Sequence, residues 1–248
     1  MSTAEGGGNI ITDGLVLYLD AANTKSFVSG NTIWNDLSRG GNNGTLTNGP
    51  TFNSGNGGSI VFDGVDDYIQ TANINLTNTN AVSVDFWCKL NSYTEVIGAG
   101  KVLLEFSTNF NSSLVGFLVA IADDSNALYG NTFPITLNLR GNIGFNVTYF
   151  PKTLVNDLAW HHWVCIFDKG LTGSEGVLYI DGILRSGTLT SLNNNNTNNF
   201  GNLPLFLSGR AAVANSNQQT GNIKLYNRVL STTEVLQNYN ATKSRFGL

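Results

Sequence analysis

Apolar residues along the chain recur in short runs that alternate between two faces, with little helical rhythm. Leu15, Leu17 and Leu19 fall on one side of such a run, with Val16 and Tyr18 on the other. From Val82 to Leu90, Val82, Val84, Phe86 and Cys88 point one way and Ser83, Asp85 and Trp87 the other. That pattern predicts a strand with one buried and one partly wet face. Similar runs cover Ile60 to Phe62, Tyr68 to Gln70, Val102 to Phe106, Leu114 to Ala122, Ile135 to Leu139 and Ile143 to Tyr149. They continue through Trp160 to Phe167, Val177 to Ile180, Leu205 to Leu207 and Ile223 to Tyr226. About a dozen strands separated by Gly, Asn, Ser and Asp clusters describe an all-β antiparallel sandwich.

Turn chemistry supports the same reading. Asp63-Gly64 and Asp181-Gly182 follow apolar strands and predict hairpin turns, because Asp-Gly adopts the primed geometry that matches strand twist. Residues 39–44, 53–58 and 192–199 read as loops, the Asn193 to Asn196 tract being a surface loop. One helix is predicted. Ser231-Thr232-Thr233-Glu234 forms a capping box ahead of Val235, Leu236 and Tyr239, so a helix of about three turns should follow and pack on the sandwich edge. Phe246 and Leu248 should extend that contact.

Composition narrows the function classes. A chain of 248 residues fits a single sandwich, expected over 13–248, with a flexible Gly-rich arm over 1–12. Charged residues make up 12% against a usual value of about 25%. The surface is therefore built of amides and hydroxyls, and a net charge of -4 gives no footprint for nucleic acid. No apolar run is long enough to span a bilayer, and the first residues lack the features of a secretory signal, so neither a membrane nor export is expected. Cys88 and Cys165 sit in apolar strands and read as buried thiols, with a bridge between neighbouring strands left open, and they are too few for a cysteine-based zinc site.

Three stretches resemble the laminin-G-like family with the concanavalin-A-like jelly-roll fold. They are residues 14–23 with 34–38 and 42–46; residues 58–69; and Trp160-His161-His162-Trp163-Val164 with residues 178–182 and 221–231. The resemblance implies a concanavalin-A-like jelly-roll sandwich of two antiparallel sheets with one short C-terminal helix. It is nearest to copies in phage virion structural proteins. That implies a non-enzymatic capsid decoration or tail component, located in the virion and in host cytoplasm during assembly, held by other virion proteins in a homo-oligomer or symmetric assembly. The alternative it implies is a carbohydrate-binding module or adhesin. Family members that bind calcium carry acidic residues where this chain has Lys224, so no cofactor is expected, and calcium remains open at Asp63, Asp66 and Asp67 or at Asp123 and Asp124.

Catalytic readings find little footing. A glycosidase needs two carboxyl groups across a sugar bond, and of Glu5, Glu95, Glu105, Glu175 and Glu234 only Glu95 and Glu105 could face a sheet together, with nothing in the sequence fixing that they do. His161 and His162 are strand neighbours, so their rings point to opposite faces and cannot hold one metal. Sugar sites on sandwiches combine an aromatic platform with amide-rich loops, which makes Trp34, Tyr93, Tyr129 and Tyr149 the carbohydrate-binding candidates.

Overall fold

The computed structural model of the chain describes residues 9–92, 100–121, 135–189, 195–210 and 214–248. Alternating strands bury their apolar faces between two antiparallel sheets. Sheet A runs β15 (Ile183–Arg185), β14 (Gly176–Ile180), β13 (Trp160–Asp168), β8 (Ala81–Leu90), β19 (Asn217–Tyr226), β5 (Ser59–Asp63) and β4 (Thr51–Asn53), with β1 (Leu15–Asp20) pairing β19 beside β5. Sheet B runs β16 (Thr188–Leu189), β12 (Phe145–Phe150), β11 (Ile135–Arg140), β10 (Phe117–Ile121), β9 (Lys101–Phe106), β18 (Leu205–Leu207), β6 (Tyr68–Thr71), β3 (Gly44–Thr47) and β2 (Ile33–Trp34). A small ribbon pairs β7 (Ile74–Asn75) with β17 (Asn202–Leu203). The helix, α1 (Thr232–Thr242), is capped by Ser231 and Glu234 as the sequence predicts.

Between the sheets lie Leu17, Leu19, Phe62, Val84, Phe86, Leu104, Phe106, Phe117, Trp163 and Phe167. Phe117 stacks on Phe106 at 5.0 Å and on Phe167 at 4.6 Å, tying sheet B to sheet A. Offset ring pairs of this kind add about 0.5–1.5 kcal/mol beyond their area. Cys88 and Cys165 are buried free thiols.

The other face of sheet A departs from expectation. Asp85 and Trp87, read as partly wet, are fully buried because α1 lies across them. Asp85 pairs with Lys224 at 2.7 Å and with His162 at 3.1 Å, and Phe246 stacks on Trp87 at 4.2 Å. The helix therefore covers a sheet face rather than an edge, while Leu248 is exposed. A further difference concerns the first Asp-Gly turn. Asp181-Gly182, at φ 55° and 75°, closes the β14–β15 hairpin, whereas Asp63-Gly64 turns a corner from sheet A into sheet B. The N-terminal segment is docked from residue 9 onward: Asn9 O accepts from Gln237, Ile11 N donates to Asn238, and Ile11 O accepts from Tyr226. The packed unit thus begins before the boundary expected at residue 13.

Candidate functional site

Where sheet B passes into sheet A, residues 47–51 join β3 to β4. Asn48 and Gly49 adopt left-handed backbone, φ 67° and 109°, which an amide side chain and a bare glycine tolerate. A cleft of about 320 Å³ opens against this crossover, at the lower end of the size of small-ligand sites. Half-buried Phe52 supplies its aromatic surface, backed by the buried ring of Phe27 at 5.7 Å between centroids. Phe27 is buried and also meets Trp34 edge-on at 6.3 Å, whereas Phe52 is half-buried. Exposed Asn31, Thr32 and Thr51 add amide and hydroxyl groups to the lining.

The same crossover borders a carboxylate cluster. Asp63, Asp66 and Asp67, on the corner between β5 and β6, bring one oxygen each to within 4.8 Å of one another. Asn48 Nδ2 donates to the Asp66 carbonyl at 3.0 Å, and a methyl group at Gly49 would lie 3.8 Å from Asp67 Oδ1. Burial, then the charges of Asp63 and Asp66, push the Asp67 carboxyl above its usual range, although Asp63 N donates to it. Asn215, only 2% exposed, donates Nδ2 to the Asp67 carbonyl and keeps Oδ1 buried without a partner. Three clustered carboxylates supply the hard oxygen ligands that a divalent cation such as calcium takes.

The residues nominated from sequence fare differently. Trp34 is fully buried in the core, its indole nitrogen without a partner, so it has no ring face to offer a sugar. Its aromatic character belongs to β2 packing, and the cleft uses Phe27 and Phe52 instead. Tyr149 is half-buried on β12. Tyr93, Tyr129, Asp123, Asp124 and Glu95 lie outside the described residues. Glu105 is buried on β9, bonded by Arg210 Nη1 at 2.6 Å and by Ser107 Oγ. His161 and His162 do point apart: His162 lies under α1 against Asp85, and His161 bridges Asp157 and Asp181 at 2.9 and 2.7 Å. Neither Phe27 nor Phe52 carries a motif, and only the Asn48-Gly49-Pro50 turn hinted that the chain changes sheets there.

The fold has several solved counterparts. The botulinum neurotoxin serotype G binding domain superposes with a TM-score of 0.65 at 15% identity, over 91% of this chain and 50% of that one. The binding domain of Paraclostridial Mosquitocidal Protein 1 gives 0.62 at 16%, over 92% and 52%. Trypanosoma rangeli sialidase, in complex with the inhibitor DANA, gives 0.58 at 16%, over 96% and 34%. The chain therefore spans about half the length of these toxin domains and a third of the sialidase. No curated protein matches it by sequence. Residues 63–236 match the Laminin_G_3 family, described as the concanavalin A-like lectin/glucanases superfamily, and the chain belongs to that family.

Proposed function

We propose that the chain is a non-catalytic recognition domain that binds a glycan in the cleft beside the 47–51 crossover. The observation that carries this reading is the pairing of the half-buried Phe52 ring, supported from behind by Phe27, with exposed Asn31, Thr32 and Thr51 in one concave site. Sugars present apolar C–H faces and hydroxyl edges, and such a surface meets both. Toxin receptor-binding domains and sialidases share the fold, which is in keeping with a binding role. The virion reading, with its particle partners and location, draws no support from these relatives, and the glycan reading is preferred.

Calcium belongs to the same proposal. Asp63, Asp66 and Asp67 would hold it, and the ion would offset their mutual repulsion and stiffen the corner that borders Asn48 and Gly49. A glycan array probed with the purified chain, in calcium and in chelator, identifies the sugar. Titration calorimetry with the best hit should then show binding lost in Phe52→Ala and weakened in Asp66→Asn. A silent array, or Phe52→Ala binding as the parent does, overturns the cleft assignment.

A further inference from the structure

We propose that Arg140 is the recognition point for the carboxylate of a sugar acid, at a site separate from the cleft. Arg140 ends β11 on the outward face of sheet B, since Ile135, Leu137 and Leu139 of the same strand point into the core. Its guanidinium carbon lies 5.1 Å from the ring centroid of Phe110 and 4.8 Å from that of Phe145. Phe145 is its register partner on β12, and Phe110 comes from the loop between β9 and β10. The two rings stand at 69° with centroids 5.8 Å apart, so the guanidinium meets both.

Aromatic faces attract the charge but leave the in-plane N–H donors unused. Nε of Arg140 is buried without a hydrogen bond, and no carboxylate pairs with the guanidinium among the described residues. Three other arginines differ, Arg210 pairing with Glu105, Arg228 with Glu234 and Arg245 with Asp20, while Arg185, whose Nε is likewise unpartnered, donates Nη2 to Ile180 O and faces no pair of rings among the described residues. Arg140 is thus held in place by ring contacts that leave its Nε unsatisfied, on a chain with an excess of acidic groups.

The surroundings are fixed as well. Asn196 Oδ1 accepts from the backbone N–H groups of Ile143 and Gly144 at 2.9 and 3.1 Å, pinning the turn that follows Arg140. Arg140 N donates to Gly116 O. Ile143 on that turn and Leu114 just before β10 are 54% and 57% exposed, giving apolar surface to either side. A planar guanidinium fork matches a planar carboxylate through two parallel hydrogen bonds. A single cation suits one negative charge, whereas phosphate dianions are usually met by clusters of basic groups. Flanking apolar surface suits the C–H face of a pyranose ring. β11 and β3 are five strand spacings apart across sheet B, about 24 Å, so the site does not depend on the cleft.

The test uses the full chain and three probes: methyl β-D-glucuronide, methyl β-D-glucoside and the glucoside 6-sulfate. The glucuronide should bind at least about tenfold tighter than the neutral glucoside and shift the Arg140 Nε–H resonance. Arg140→Lys keeps the charge but loses the fork and should weaken binding about tenfold, with Phe145→Leu falling between. Phe52→Ala should leave glucuronide binding intact. Arg140→Lys with parental affinity, no shift of the Arg140 resonance, or tighter binding of the sulfate would each overturn the assignment. Thermal melts of the variants separate lost binding from lost folding.

Discussion

Asn238 on α1 places its amide nitrogen 2.7 Å from Asp85 Oδ2 on β8, inside a region from which water is excluded. The same side chain accepts from Ile11 N at 2.8 Å, so one asparagine holds the N-terminal segment, the helix and the central sheet together. Asp85 carries the charge that makes this arrangement stable. Although burial alone would raise its carboxyl, Lys224 and His162 hold it well below the usual carboxylate range.

Removing Asp85 leaves Lys224 dry and without its counter-charge. Asp85→Ala strands Lys224 and is expected to cost about 3–5 kcal/mol in urea unfolding. Asn238→Ala removes a hydrogen bond to a charged group and should cost about 1.5–3 kcal/mol. An Asn238→Ala protein as stable as the parent would show that the helix is held by its apolar contacts alone.

The asparagine-rich segment makes a second buried junction. Asn196 is fully buried, donating N and Nδ2 to the Glu175 carboxylate, both at 2.8 Å. Asn196→Ala should therefore destabilise by about 1.5–3 kcal/mol, unlike a loop substitution. Gly141→Ala should act on the same junction, because a methyl group there would come within 2.2 Å of the Asn196 side chain. Hydrogen exchange at Ile143 and Gly144 should speed up in both variants.

His161 sets a pH dependence. Burial lowers its affinity for the proton, but the hydrogen bonds to Asp181 and Asp157 outweigh that and raise it above 6.5. The folded chain then binds more protons than the unfolded one above 6.5, so this stabilisation is full below 6.5 and is lost as pH rises through the folded value. His161→Gln should flatten the fall in stability as pH rises above 6.5. An NMR titration of the His161 ring that fell at or below 6.5 would contradict it.

Lys169 acts at higher pH. Burial brings its ammonium down from 10.5 to about 8, against a smaller opposing pull from Glu175. Its Nζ lies 4.5 Å from the centroid of the Phe200 ring and 3.2 Å from Asn198 Oδ1. Between about 8 and 10.5 the unfolded chain binds more protons, so this group makes stability rise with pH across that window. Lys169→Met should remove the rise, measured as melting temperature against pH.

Much of the fold is legible because period-two alternation, Asp-Gly turns and a capping box act locally. Ser231 with Glu234 and Asp181 with Gly182 are examples in which neighbouring residues specify the geometry. What stays hidden depends on distant partners. The first half of β19, Asn217-Gln218-Gln219-Thr220, lies outside the strand expected at Ile223 to Tyr226, yet Gln218 is buried because Leu103 O and the Cys88 thiol satisfy its amide. Asp85 reads as solvent-facing because its cover, α1, comes from the far end of the chain. Phe27 and Phe52 meet across a sheet crossover, and Arg140 with Phe110 across a loop, so neither pair leaves a spacing signature.

β19 stands between β8 on one side and β1 and β5 on the other, and the described strands of sheet A include no other pairing across that gap. During synthesis the early strands and the β8–β13–β14–β15 block consequently wait as two separate half-sheets with open edges. Closure of the sandwich becomes a late, long-range event, of the kind that slows folding and leaves exposed strands prone to association. A nascent chain stalled before residue 217 would be a sticky intermediate, and its release into solution would decide between assembly and aggregation.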